Sequence, residues 1–102
     1  MKFQVQKQLI SEVEEILSNN EIDYIKRNGL NLSANDLFQY FVVGGGLVSI
    51  LNVLISYKNS CKAERKIELE MEDKRISIQA TSKEELLELL ERCERIIITD
   101  IK

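Results

Sequence analysis

Apolar and polar residues recur with different periods in different parts of the chain, and each period predicts a different element. The first six residues alternate apolar side chains with lysine and glutamine, which suits a short strand. Over residues 7–19, apolar side chains recur at helical spacing with glutamates on the opposite side, which predicts an amphipathic helix. Residues 21–32 contain the turn signal Asn28-Gly29, so we expect a short helical turn and then a loop.

The final third of the chain begins with a pattern typical of a β-hairpin. Apolar residues alternate with glutamates over residues 67–72, and with serine and glutamine over residues 76–80. Asp73-Lys74 provides the turn between them. A register that pairs Glu72 with Arg75 places every apolar side chain of the hairpin on one face.

A helix and a further strand are predicted after the hairpin. Ser82, followed three residues later by Glu85, is a capping box, and it predicts a helix to about Glu94 with a buried stripe of leucines. The run RIIITDI over residues 95–101 is strongly β-prone. A strand-helix-strand crossover would make this last strand parallel to the strand at 75–80.

The longest uncharged run of the chain, residues 37–57, predicts a second helix from about residue 36 to residue 59. Such a helix would span roughly 30 Å, which is also the thickness of the hydrocarbon core of a bilayer. Three consecutive glycines inside a helix would cost about 3 kcal/mol relative to alanine. Close approach of another backbone is the usual compensation, so we interpret the glycines as a helix-association site.

Two faces of this predicted helix carry the candidate binding residues. The residues that we expect to associate with another helix are Gly44, Gly45, Gly46, Ser49, Asn52 and Ser56. Of these, Gly45, Ser49, Asn52 and Ser56 are spaced to form one small, polar face. The apolar interface on the other side consists of Val43, Leu47, Ile50, Leu54 and Tyr57.

A helix that is apolar around most of its circumference must be buried on several sides. Three environments remain open for it: the core of the subunit, the interior of a homo- or hetero-oligomer, and a lipid bilayer. A small chain with one sheet has little material with which to surround such a helix, so we favour an oligomer.

The composition argues against several classes of function. The chain has 102 residues, no histidine and a net charge of −3, so it lacks the commonest proton shuttle and metal ligand and gives no footprint for nucleic acid. Cys61 and Cys93 lack a metal-binding spacing, and we expect reduced, structural thiols in the cytoplasm, with a disulfide as the alternative. The first residues lack the apolar segment that export requires. We therefore expect no enzymatic activity, no cofactor, no metal and no nucleic-acid partner.

Three successive stretches of the chain carry a resemblance to a known family. They are DLFQYFVVGGGLVSILNVLISYK, KIELEMEDKRISIQA and TSKEELLELLERC, and they cover about residues 36–93. Their order resembles the effector-associated constant component domains of bacterial conflict systems, in which a glycine-rich apolar helix precedes a hairpin and a final helix. The resemblance implies a small non-enzymatic partner, encoded beside NTPase switches, peptidases or other effectors. It carries over only Gly44, Gly45 and Gly46, as the family's glycine cluster.

Together these patterns predict a single α+β domain over residues 1–102. Its parts would be a strand, helix and loop over 1–35, the apolar helix over 36–59, and a hairpin, helix and strand over 66–102. We expect a small sheet of three to four strands, with helices packed on one face and a long apolar, glycine-containing helix available for assembly.

The expected function is that of a non-enzymatic adaptor or assembly component of a bacterial conflict or antiphage defence system. Through the apolar helix, the protein would form a homo-oligomer or bind a defence protein such as an NTPase switch or a peptidase. The alternative is a membrane-inserting, pore-forming effector activated by a partner such as a peptidase. In that case the protein would associate with the inner membrane rather than remain cytoplasmic.

Overall fold

The computed structural model describes residues 1–27, 37–59 and 65–100. Within these ranges the chain forms six β-strands, three α-helices and two short 3-10 helices, the latter at Lys7–Leu9 and Ile78–Ala80. The strands and α-helices, in chain order, are β1 (Lys2–Gln6), α1 (Ile10–Asn19), β2 (Asp23–Arg27), β3 (Leu37–Gly44), α2 (Leu47–Asn59), β4 (Arg65–Glu70), β5 (Arg75–Ser77), α3 (Lys83–Arg92) and β6 (Arg95–Asp100).

The strands form one mixed sheet with the order β2-β3-β1-β6-β4-β5. The two central strands, β1 and β6, run parallel to each other, and every other neighbouring pair is antiparallel. Parallel neighbours need a long crossover, and here the crossover contains all the other elements of the fold.

All three α-helices pack on one face of the sheet. Alternate residues of the strands point to that face, and they form one continuous core with the apolar stripes of the helices. The fully buried members of the core include Phe3, Val5, Val13, Leu17, Tyr40, Val53, Leu54, Ile67, Leu69, Leu86, Leu90, Ile96 and Ile98. Ile97 is also buried but lies outside this core, because it points to the opposite face. The fold therefore has two layers, and none of the three α-helices covers the second face of the sheet.

The predicted long apolar helix over residues 36–59 is wrong. Residues 37–44 form β3, and α2 begins only at Leu47 and has 13 residues. The segment LFQYFVVG is rich in aromatic and β-branched side chains, which favour a pleated surface, and β3 pairs with a strand on each side. In the part of the chain that the structure describes, no helix combines the length and apolar character needed to cross a membrane.

The prediction of three to four strands is also wrong, because the described sheet has six. The chain is α+β, but two of its strands lie where other structure was expected. β2 occupies part of the segment predicted as a helical turn and loop, and β3 occupies the first part of the predicted apolar helix. The predicted strand at the N-terminus is confirmed as β1.

The predicted hairpin forms, but its register is shifted by two residues. Glu70, and not Glu72, pairs with Arg75, and the Met71 N–H donates a hydrogen bond to the Lys74 carbonyl at 2.8 Å. An ion pair of 2.9 Å between Arg75 Nε and Glu70 Oε2 accompanies the observed register. Because a shift of two residues preserves the alternation of a strand, Ile67, Leu69 and Ile76 stay on the predicted face. The second strand is shorter than predicted, since residues 78–80 form a 3-10 helix and Ala80 is exposed.

The last helix and strand form as predicted, and the strand has the predicted direction. The N-cap at Ser82 is confirmed, since its Oγ accepts the Glu85 N–H at 3.3 Å and donates to Glu85 Oε1 at 2.9 Å. β6 forms, but it pairs with β1 and β4 and is not a neighbour of β5. It nevertheless runs parallel to β5, as predicted, because both strands are antiparallel to β4, which lies between them.

Two buried tyrosines connect α1 to the rest of the fold. The Tyr40 hydroxyl donates to Glu14 Oε2 at 2.7 Å, and the Tyr57 hydroxyl donates to Glu12 Oε2 at 3.0 Å. Arg65 also binds both carboxylate oxygens of Glu12, at 3.0 and 3.1 Å. Burial, together with these carboxylates, raises the pKa of both tyrosines far above the ordinary value.

The hydrogen bond from Tyr40 should hold the Glu14 carboxyl below its ordinary pKa of 4.5, with Lys26 at 3.0 Å adding to the effect. We expect Tyr40→Phe to raise the Glu14 pKa toward 4.5, as measured by NMR titration of its side-chain carboxyl. Because the folded pKa is depressed, the stabilisation is complete above the unfolded pKa and is lost as the pH falls through the folded pKa. A Glu14 pKa in the native protein at or above 4.5 would contradict this assignment.

Candidate binding surface

The sheet face that the α-helices leave uncovered is the candidate functional site, and we call it the open face. Its side chains are contributed by all six strands. By the alternation of the strands they are Lys2, Gln4, Gln6, Asp23, Ile25, Arg27, Gln39, Phe41, Val43, Lys66, Glu68, Glu70, Arg75, Ser77, Arg95, Ile97 and Thr99. One row of cross-strand neighbours runs from an apolar end to a charged end, in the order Ile25, Phe41, Lys2, Arg95, Glu70, Arg75.

At the apolar end, two cations lie beside the ring of Phe41. Lys2 Nζ is 5.8 Å from the ring centroid, and Arg27 Cζ is 5.9 Å from it. These distances are within the range of cation–π attraction. Among the residues that the structure describes, neither Lys2 nor Arg27 forms an ion pair with a carboxylate. Both charges are therefore available to an anionic partner.

Apolar side chains are exposed at the same end. Ile25, Arg27 and Phe41 line a shallow depression of about 290 Å³. Ile25 is 48% exposed, and Val43, two residues beyond Phe41 on β3, is 62% exposed. A depression of this kind, with cations at its border, suits an apolar side chain that is flanked by acidic ones.

At the charged end, carboxylates already neutralise the cations. Glu70 lies 2.9 Å from Arg75 Nε and 3.0 Å from Arg95 Nε, and Lys66 lies 4.0 Å from Glu68. Arg95 Nε is buried, and its contact with Glu70 is an ion pair without the alignment of a hydrogen bond. On this face, the cations that no described carboxylate neutralises are thus the two beside Phe41.

The three glycines lie at the corner between β3 and α2, and not inside a helix. Gly44 is the last residue of β3, and Gly45 has a φ of 107°. The Gly46 carbonyl accepts the N–H groups of Ser49 and Ile50 at 3.1 and 3.3 Å, so Gly46 is the N-cap of α2. The glycine run therefore redirects the chain from sheet to helix, and it does not form the helix-association face that the sequence suggested.

The other members of the predicted small, polar face do lie on α2. Asn52 and Ser56 are exposed, and Ser49 is half-buried. They lie on the helical layer, away from the open face.

The predicted apolar interface is divided between the core and the surface. Ile50, Leu54 and Tyr57 are buried against the sheet within this subunit. Val43 and Leu47 are exposed, and of the two only Val43 lies on the open face. The structure therefore does not bring these five residues together as one surface.

The described cysteine offers little nucleophilic chemistry. Cys93 is half-buried, and burial raises the pKa of its thiol to about 11. The thiol donates to the Arg95 carbonyl, with Sγ 3.0 Å from the oxygen. Cys61 lies outside the described residues, so the predicted state of this second cysteine stays a prediction. Within residues 1–27, 37–59 and 65–100, no group of three or more acidic or thiol side chains is placed to hold a metal ion.

The residues at the apolar end of the open face were missed by sequence reasoning. Phe41 lies in the uncharged run that was predicted to be a helix. Ile25 and Arg27 lie in the segment that was predicted to be a helical turn and a loop. The available signal was the β-propensity of FQYFVV and DYIK, which favours strands over a helix. No local sequence pattern indicates that these residues lie together, because they come from three different strands, β1, β2 and β3.

Comparison of the chain with protein-family models, with curated proteins and with solved structures found no match. The resemblance to the effector-associated constant component domains therefore stays an expectation from the sequence. The function is inferred from the geometry of the open face.

Proposed function

We propose that the protein is a non-enzymatic assembly component, an adaptor, that binds its protein partner through the open face of the sheet. In keeping with the resemblance in the sequence, the assembly would be a bacterial defence complex. Its partner would then be another copy of this chain, or a defence protein such as an NTPase switch or a peptidase.

One observation carries the proposal: on the sheet face opposite the three α-helices, Phe41 lies between two cations that pair with no carboxylate among the described residues. Gln4 and Ile97 at the middle of this face are buried, so the accessible surface is its apolar end. Exposed Ile25 and Val43 extend the apolar surface beside it. Aromatic and arginine side chains around an apolar centre are typical of protein interfaces. The open face thus has the composition of a binding surface, with its backbone held by neighbouring strands.

The segment that suggested the membrane-acting alternative has a different structure from the one expected. β3 takes up its first part and α2 its second, and α2 at about 1.5 Å per residue is roughly 20 Å long. Its buried residues are already used in the core of the subunit. These observations favour the adaptor.

Two exposed valines provide a matched test. Val43 on the open face is 62% exposed, and Val48 on α2 is 65% exposed. The tagged protein is coexpressed with the products of the genes adjacent to its own, and copurification is measured. We expect Val43→Glu to abolish copurification, because it places a carboxylate in the apolar part of the surface, whereas Val48→Glu keeps it.

Retained binding in Val43→Glu, or loss only in Val48→Glu, would contradict the proposal. Both variants should keep the native far-UV circular dichroism and thermal midpoint, since substitutions at exposed positions usually change stability by about 0.5 kcal/mol or less.

A further inference from the structure

We infer that the occupant of the open face is a second copy of this chain, which presents the outer surface of α3. The inference rests on the proposed function, because it takes the open face as a binding surface and names what binds there. The evidence for it is the charge and the dimensions of two surfaces of the same molecule, the open face and the outer surface of α3.

The outer surface of α3 has an acidic stripe around one exposed leucine. Glu84, Leu87, Glu88 and Glu91 recur at a spacing that places them on one helical face, and all four are exposed. Leu87 is 39% exposed, and among the described residues neither Glu84 nor Glu91 forms an ion pair. Glu88 lies 3.9 Å from Arg92 in a solvent-exposed contact.

The two surfaces are complementary in charge, and their dimensions are compatible. Glu84 and Glu91 are about 10 Å apart along the helix axis. Lys2 and Arg27 each lie under 6 Å from the Phe41 centroid, so their charged groups are at most about 12 Å apart. Docking the stripe across Phe41 therefore places a carboxylate near each unpaired cation, with Leu87 over the depression lined by Ile25, Arg27 and Phe41.

Both surfaces belong to every copy, but they lie on opposite layers of the fold. The open face is on the uncovered side of the sheet, and α3 packs on the covered side. One molecule is therefore unable to satisfy its own open face. The contact is heterologous, with the helix of one copy on the sheet of the next, and it builds a ring if the rotation between copies closes and an open chain if it does not.

A nucleic acid fits the same surface less well. Three of the five cations on the open face already pair with Glu68 or Glu70, and the chain as a whole has a net charge of −3. A polyanion needs an extended series of free cations, because its affinity comes from neutralising many phosphates. Two cations around one apolar depression match a short acidic stripe better.

Self-association is tested by sedimentation equilibrium of the full chain at low ionic strength. We expect the average mass to rise with protein concentration and to fall in about 1 M salt, where the Debye length is about 3 Å. The double variants Lys2→Glu/Arg27→Glu and Glu84→Lys/Glu91→Lys should each weaken association by about tenfold or more. Lys74→Glu and Glu15→Lys each make one reversal of the same kind, half the charge change of the matching double variant, at exposed positions outside both surfaces, and they should associate as the native protein does.

Mixing the two double variants distinguishes this contact from any other. The first keeps its acidic helix and the second keeps its basic sheet face, so mixing them should restore an association that neither shows alone. The charge-exchanged contact is also available in the mixture, so the mixed assemblies alternate the two variants and are able to grow beyond a pair. A variant that carries all four reversals should associate again, with the charges exchanged.

A native protein that stays monomeric at every concentration would overturn the inference, as would double variants that associate like the native chain. Tight binding of a single-stranded oligonucleotide to the monomer would overturn it in favour of nucleic acid. If the protein is monomeric but Val43→Glu still abolishes copurification of a neighbouring gene product, the proposed function stands and only the identity of the occupant is wrong.

Discussion

Leu54→Ala is expected to lower the free energy of unfolding by about 2–5 kcal/mol, the usual range for a leucine in a packed core. Leu54 is 0% exposed and lies in α2 where the helix packs against the sheet. Its replacement removes apolar contacts and leaves a cavity that the surrounding strands fill only in part. Urea denaturation followed by circular dichroism measures the change.

The comparison variant is Val48→Ala, on the same helix but 65% exposed, which should change the unfolding free energy by about 0.5 kcal/mol or less. The two variants distinguish between two positions for Leu54. In the structure it lies in the core of the subunit, whereas the helix expected from the sequence placed it in a partner interface. If Leu54→Ala kept the native stability and instead lowered the mass of an assembly, the position of α2 in the core would be wrong.

Gly45→Ala is expected to destabilise the fold by about 1–3 kcal/mol, because the backbone at this corner has a conformation that a residue with a Cβ rarely adopts. Space is not the reason. A Cβ at Gly45 would lie 3.5 Å from the Glu21 carbonyl oxygen and 3.5 Å from Ile22 Cα, which are ordinary contacts. The cost comes from φ, which is 107°. Chemical denaturation of the two proteins measures it.

Gly46→Ser is the matched control in the next position. A Cβ there would meet nothing closer than the Val48 N–H nitrogen at 4.0 Å, and serine is a preferred N-cap. We expect Gly46→Ser to leave stability unchanged or to raise it by a few tenths of a kcal/mol. Equal effects of Gly45→Ala and Gly46→Ser would contradict the roles assigned to these glycines.

Local patterns predicted the elements of the final third well. The alternation in residues 67–72 and the cap at Ser82 depend on side chains a few positions apart, so the sequence displays them directly. The hairpin register depended on a further contact, the ion pairs of Glu70 with Arg75 and Arg95. Arg95 lies in another strand, so the pattern of the hairpin alone did not contain this information.

The error at residues 37–44 has a physical cause. β3 is apolar on both faces, because Tyr40 points into the core while Phe41 and Val43 point to the open face. A strand with apolar residues on both sides loses the alternation that identifies strands, and a continuous uncharged run looks the same whether it is helix or strand. The alternation is missing because the outer side of β3 carries apolar side chains, Phe41 and Val43, instead of polar ones.

The open face was beyond the reach of sequence reasoning for a related reason. Its apolar end joins Lys2, Arg27 and Phe41, which are neighbours only through the pairing of three strands. The net charge of −3 also gave no indication of this surface, because the negative charge of the helices exceeds the positive charge of the sheet face.

The parallel pairing of β1 with β6 sets the order of events during synthesis. Lys2 through Val5 find their partners in residues 95–98, so the centre of the sheet is incomplete until the last of these leaves the ribosome. Contacts between segments so distant in sequence are costly in loop entropy and slow to form. Until then the edges of β1 and β4 that β6 covers stay unpaired, and unpaired strand edges favour aggregation.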